Sequence, residues 1–498
     1  MGALRSETFG RHRRSLAVAS SVAVAVVVAL GCMSVGHAQV DGTAGVVTAR
    51  PAQLVATADG VEVTPILSAS DVVPSADPQL ASGYQMSGIP DGLGAYAPSP
   101  GTLGVLMNHE LGGTKPAGVG ARVSHLSIDP ATGRVLDASY PVTGREGFLR
   151  FCSATLANIG GRPMYFTGEE STSEGALTAN PDDGLGRGGS SIALDPEAGT
   201  YTETRHFGLL PHENVVPVMG LPQAVFLTTE DGSFTGNKSQ LYAYIASTFS
   251  DAISGTQGSL YVWKANDQVD DGDPSTNDIE QDETLPGRFV PVSQQENLSA
   301  ATLEAAAQSK GAFDFVRLED AAVSKTKANR LYITDTGSLG SESTRGRLYR
   351  LEFNKNDLTK ANLTLELDLD KQAADTTDPN NAVKMTNPDN LDTSRSSVVL
   401  QEDRNEEFRD EDYSRVLVYD IASKRLRVVA RVNTPEGSQK GSWESSGVIN
   451  AFSSLGQDKW LLDVQAHTAT APQPGLDLVP NSSTGEDGQL LQIKIPNS

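Results

Sequence analysis

Cysteine is the scarcest informative residue in this chain: 498 residues contain two, Cys32 and Cys152. Cys32 lies in an apolar leader, so after removal of that leader no disulfide can form and Cys152 stands alone. Basic charge is also short, with 39 Lys and Arg against 62 Asp and Glu and a formal net charge of −23. Such a surface repels nucleic acid and anionic membranes and excludes both as expected partners. Several catalytic signatures are missing. His109-Glu110 and His212-Glu213 lack the second His of a zincin helix, no Gly-x-Ser-x-Gly elbow lies beyond the leader, and no glycine-rich loop ends in Gly-Lys-Ser or Gly-Lys-Thr. Serine hydrolases and nucleoside-triphosphate enzymes are therefore disfavoured. Beyond Leu16–Leu30 no apolar run approaches the ~20 residues that cross a bilayer, so no membrane span is expected.

What is present begins with that leader. Arg11-His12-Arg13-Arg14 precedes the apolar run, and Gly36-His37-Ala38 offers small residues for cleavage, which predicts a signal peptide over residues 1–38. Arg13-Arg14-Ser15-Leu16-Ala17 resembles a twin-arginine signal, so a periplasmic or extracellular protein, exported folded, is expected. Ala29-Leu30-Gly31-Cys32 resembles a lipoprotein box only partly. A free thiol in an exported protein is exposed to oxidation. Cys152 is therefore read either as a metal ligand or as a small buried apolar residue.

Short β-branched and aromatic runs recur from Leu241-Tyr-Ala-Tyr-Ile245 to Leu490-Leu-Gln-Ile-Lys-Ile495, each bounded by Gly, Asp, Asn or Ser. Asp129-Pro130-Ala131-Thr132-Gly133 and Asp195-Pro196-Glu197-Ala198-Gly199 share one turn design, echoed by Asp420-Ile421-Ala422-Ser423-Lys424. A hairpin module recurring without strict period predicts an all-β chain folded as a β-propeller over residues 39–498. An acidic loop and short helix, about residues 266–312, read as an insertion, with the helix over Ser299–Lys310. Asp270-Asp271-Gly272-Asp273 fails the EF-hand template because its third position falls on Val269.

Acid-centred motifs follow many of the strand-like runs: Asn108-His109-Glu110, Glu169-Glu170, His212-Glu213, Glu230-Asp231, Glu319-Asp320, Asp389-Asn390, Glu402-Asp403, Trp443-Glu444-Ser445-Ser446-Gly447 and Asp463-Val464-Gln465-Ala466-His467. Any one of them reads equally as a solvated turn. Strand ends of a propeller converge, however, and acids brought there together form an anionic cavity that needs cations. A thiolate prefers iron or zinc to calcium, whereas carboxylates suit hard cations.

In order along the chain, Asn108-His109-Glu110, Cys152 with Glu169-Glu170, His212-Glu213, Glu319-Asp320, Asn387-Pro388-Asp389-Asn390-Leu391, Glu444-Ser445-Ser446-Gly447 and Gln465-Ala466-His467 resemble the motif series of the PhoX alkaline phosphatase family. The resemblance implies a six-bladed propeller that hydrolyses a small phosphorylated substrate with a cluster of iron (Fe3+) and calcium (Ca2+). It implies Cys152 on iron, with Glu110, Glu169, Glu170, Glu213, Glu319 and Asp389 as further ligands. Two departures stand out. Gly168 occupies the place of a second cysteine, and Gln465-Ala466-His467-Thr468 replaces Gln-His-Pro-Gly. Arg404, after Glu402-Asp403, is the candidate for a bidentate contact to phosphate, with a surface ion pair as its other reading. A monomer is expected. The alternatives are a propeller hydrolase acting on a phosphodiester or lactone, and a calcium-stabilised propeller that binds a partner without catalysis.

Overall fold

The computed structural model describes residues 45–112, 120–173, 188–232, 238–266, 278–371, 385–403, 413–471 and 485–498. The leader, the acidic segment 267–277 and Arg404 lie outside the described residues. The chain is an all-β protein of antiparallel sheets in a propeller-like arrangement. Among the described residues no helix is long and apolar enough to cross a membrane.

Hairpins follow from the turn chemistry read in the sequence. Asp129 Oδ1 accepts from Ala131 N–H, and Gly133 N–H closes on Asp129 O at 2.8 Å with Gly133 at φ +71°. Asp195 and Gly199 repeat the arrangement, and Asp420 does so with Lys424 at φ +57° in the glycine place. The strands these turns join pair as neighbours, Arg122–Asp129 with Arg134–Val142 and Arg415–Asp420 with Arg425–Val432.

Four separate sheets have four or five strands each, and one sheet has nine. The nine-stranded sheet has His212–Pro217 at one edge and Leu318–Val323 at the other. Those edges lie against each other, so this sheet nearly closes on itself. Thr284–Val292, a strand not anticipated from the acidic surroundings, joins its halves by pairing with both Ser259–Ala265 and Lys360–Asp368. The helix Ala300–Lys310 falls where the sequence places it, capped by Ser299 and ended by Gly311 at φ +67°. Two N-terminal strands are added to sheets formed by the C-terminal part. Leu54–Ala56 pairs with Arg425–Val432, and Glu62–Ser68 pairs with Gly485–Lys494.

Six strands form a circuit of contacts: Pro90–Ser99, Phe151–Ile159, His212–Pro217, Leu318–Val323, Pro388–Thr393 and Glu444–Asn450, which returns to Pro90–Ser99. Around it the sheets bury Trp263, Trp460 and most of the Val and Leu of the core. Neighbouring circuit strands approach closely. A Cβ on Gly92 would stand 2.5 Å from the Cys152 carbonyl oxygen.

Candidate metal centre

Five of the six circuit strands open on one local design. They carry a β-bulge at the same place: Pro90-Asp91-Gly92-Leu93, Phe151-Cys152-Ser153-Ala154, His212-Glu213-Asn214-Val215, Leu318-Glu319-Asp320-Ala321 and Pro388-Asp389-Asn390-Leu391. In each, three residues advance on this strand against two on its partner. A bulge re-aims a side chain, here the second residue of the four, which is an acid or the thiol. Glu444-Ser445-Ser446-Gly447-Val448 places its bulge at Gly447 instead. Ile89, Arg150 and Asn387, two residues before Asp91, Cys152 and Asp389, hold positive φ between +39° and +51°. This left-handed entry is costly for a β-branched residue such as Ile89.

The next strand supplies a pair of residues whose side chains diverge, as strand alternation requires. The first of the pair holds the loop backbone. Glu169 accepts from Leu149 and Ser190 N–H at 2.9 and 3.0 Å, Glu402 from Thr386 and Arg415 N–H, Asp335 from Val316 N–H, and Glu230 from Gln240 N–H. The second of the pair, Glu110, Glu170, Asp231, Thr336 or Asp403, donates its N–H to the carbonyl two residues before the re-aimed side chain. This bond, repeated from Glu110→Ile89 to Asp403→Asn387, fixes two rows of functional groups relative to one another.

The two rows meet in four groups. Asp91, Glu110 and Cys152 form the first, and Cys152, Glu170 and Glu213 the second. Glu213, Glu319 and Asp389 form the third, and Asp389, Asp403 and Glu444 the fourth. Within each, one potential ligand atom per residue lies within 4.8 Å of the others. Every group shares one residue with the next, so the four run as a chain around the end of the circuit.

Six of the seven metal candidates named from the sequence are thus brought together: Glu110, Cys152, Glu170, Glu213, Glu319 and Asp389. Glu169 is not. It is fully buried and engaged with backbone donors, on the opposite side of its strand from Glu170. Arg404 lies outside the described residues. Asp91, Asp403 and Glu444 also belong to the chain of groups: Asp403 and Glu444 lie in acid-centred motifs read from the sequence but were not named as ligands, and Asp91 was in none of them. The recurrence of Pro-Asp-small-Leu at Pro90-Asp91-Gly92-Leu93 and Pro388-Asp389-Asn390-Leu391 is the signal that could have found Asp91.

Cys152 Sγ donates to Glu170 Oε2 at 2.7 Å. Burial, then Glu110 and Glu170, push the thiol well above its usual value. Burial also raises Glu170 to about 8 against the lowering effect of Arg150, and lifts Asp91, Glu213, Glu319 and Asp389 far above the carboxylate range, helped by their acidic neighbours. Arg150 reaches two of these acids, Glu110 at 2.9 Å and Glu170 at 2.6 Å. Arg317 forks onto Asp231 at 2.9 and 2.8 Å and lies 3.5 Å from Glu319. Burial alone would lower His467, but hydrogen bonds to Glu444 and Glu486 carry it to about 10.

Below the acids, amides and hydroxyls cross-link the circuit. Asn390 Nδ2 donates to Asp91 and to Ser153 Oγ, Ser153 Oγ donates to Glu213, and Asn214 bonds Asp320. The donor set suits cations: one soft thiolate in a shared position and otherwise hard carboxylate oxygens, too many to remain charged together without positive partners. Gly168 has a steric cause. A Cβ there would meet His212 Cβ at 2.5 Å, so no second thiol fits beside Cys152 from that position.

No family model matches the chain, and no curated protein matches it. Solved structures with a similar course include a hypothetical selenium-binding protein from Sulfolobus tokodaii, 10% identical, over 68% of each chain with a TM-score of 0.34. The NanB sialidase from Streptococcus pneumoniae is 7% identical over 85% of this chain and 70% of its own, TM-score 0.39. An ulvan lyase is 7% identical over 84% and 90%, TM-score 0.34. Likenesses this loose carry no argument about chemistry.

Proposed function

We propose that this protein is an exported, metal-dependent phosphatase that hydrolyses phosphate monoesters at the chain of acidic groups, in the manner of the PhoX family its motifs resemble. The carrying observation is the chain of four linked groups, in which Cys152 shares its position with Glu110 on one side and Glu170 on the other. Cys152 and those glutamates would hold iron, and the all-carboxylate groups around Glu213, Glu319, Asp389 and Glu444 would hold calcium. Bound cations would supply the positive charge that a phosphate dianion requires in so acidic a chain, and would polarise the phosphoryl group.

The protein's own side chains would do the rest. Arg150 and Arg317, with side chains 42% and 32% exposed, pair with acids of these groups, and their guanidinium groups would hold phosphate oxygens by paired hydrogen bonds. His467 anchors Glu444 through Nε2. The cross-linked Asn390, Ser153 and Asn214 keep the acids in place against their mutual repulsion. Six blades fit this reading, with the nine-stranded sheet counted as two four-stranded blades bridged by Thr284–Val292.

The test is hydrolysis of an aryl phosphate by protein reconstituted with iron and calcium, alongside an aryl phosphodiester and a lactone. Metal-dependent turnover of the monoester is the expected result. Turnover of only the diester or lactone would move the reading to another ester. Calcium binding with no hydrolysis of any of the three would leave a calcium-stabilised binding module.

A further inference from the structure

The strand Lys459–Ala471 carries a carboxylate that the chain of acidic groups does not use. Asp463 is fully buried, and neither of its oxygens has a hydrogen-bond partner among the described residues. Two residues along the same face of that strand, Gln465 is also fully buried. Its Nε2 is spent on Asp91 Oδ2, Glu110 Oε2 and Ser446 Oγ, and its Oε1 has no partner. Opposite Asp463 the neighbouring strand bulges at Gly447, with φ +43°. The point where a Gly447 Cβ would sit lies 2.6 Å from the Asp91 carbonyl oxygen and 3.0 Å from Asp463 Oδ2. A side chain at 447 would collide with both oxygens, which come from different sheets and crowd the same side of Gly447.

Every unmet group here is an acceptor. An uncompensated buried carboxylate is costly, and Asp91 and Glu444 are acids close enough to add repulsion. A water could donate to these oxygens but would leave the charge in place. Oxygen-only donors from a carboxylate, a side-chain amide and a backbone carbonyl are the ligand types of a hard cation.

We propose that Asp463, Gln465 Oε1 and the Asp91 carbonyl bind a buried calcium-class cation, separate from the four groups that include or adjoin Cys152. This site is structural: it ties the bulge at Gly447 to the strand carrying Asp91, and so sets the Asp91 and Glu444 ends of the chain of groups. It needs neither iron nor an ester substrate, and it stands or falls apart from the phosphatase reading.

The experiment compares calcium stoichiometry and the calcium-induced rise in melting temperature for the full protein and for Asp463→Asn, a variant of the same shape. The expected result is one fewer tightly bound calcium in Asp463→Asn and a smaller calcium-induced rise, with the metal bound through Cys152 unchanged. An unchanged calcium count would overturn the proposal and make Asp463 a buried protonated acid. If Asp463→Asn does not fold, terbium anomalous scattering from crystals of the unaltered protein decides the matter. A peak against Asp463 and Gln465 supports the site, and peaks confined to the four groups refute it.

Discussion

Glu169 and Glu170 are neighbours in the chain and face opposite tasks: Glu169 accepts two backbone N–H groups, from Leu149 and Ser190, while Glu170 accepts the Cys152 thiol at 2.7 Å. Strand alternation separates them, and the same division runs through Glu402-Asp403 and Glu230-Asp231. Glu169→Gln should turn one of the two acceptors into a donor facing a backbone N–H, at a cost of about 1–3 kcal/mol. Denaturant unfolding should show that loss with metal content intact. Glu170→Gln should do the reverse, losing metal with little change in the stability of the metal-free fold.

The raised buried acids should make the metal-free protein lose stability as pH rises from 5 to 8. Burial raises Asp335 to about 6, Asp320 to about 7 and Glu169 to about 8. All three lie above the values near 4 of an unfolded chain. The folded state therefore holds the extra protons. Their contribution to stability is full below about pH 4 and is lost as pH rises through the folded values. Melting temperatures of chelator-treated protein should fall between pH 5 and 8, and calcium should flatten that decline. A metal-free melting temperature that rises over this range would contradict the burial of these acids.

Neutralising one repelled acid should help the empty site and harm the loaded one. Asp389 is shared by two groups and is pushed up by burial and by Glu319, Glu213 and Glu444. Asp389→Asn is expected to raise the melting temperature of the metal-free protein by a few degrees and to remove bound calcium. Calorimetry with and without calcium reads both effects.

Arg150 spans Glu110 and Glu170 with a partly exposed side chain. If it holds substrate phosphate, Arg150→Gln should raise KM for an aryl phosphate about tenfold or more, the scale of a lost charged hydrogen bond. The number of bound metal ions should stay the same, and Arg150→Lys should recover part of the loss. Loss of metal in step with activity would make Arg150 a support for the acids instead.

The turns were legible because Asp, Pro and Gly act locally: Asp129, Asp195 and Asp420 each start the hairpin the sequence assigns to them. The helix over Ser299–Lys310 was legible through its run of Ala, Glu and Gln. The strand Thr284–Val292 was not, since it sits beside an acidic run and its pairing is set by two distant strands. Within the site, paired acids such as Glu169-Glu170 were visible as pairs. Which member faces the centre depends on strand register, which the sequence does not print. Asp91 was missed because Pro90-Asp91-Gly92 has the composition of a turn, although Pro90-Asp91-Gly92-Leu93 repeats the Pro-Asp-small-Leu pattern around Asp389; the bulge common to five strands gives that repeat its physical reason.

Elemental analysis of protein purified from its export route, compared with Cys152→Ala, tests the central claim most directly. The account predicts iron together with several calcium ions in the unaltered protein. In Cys152→Ala it predicts loss of the iron and of phosphatase activity together, in a chain that still folds and binds calcium. Iron retained in full by Cys152→Ala would contradict it.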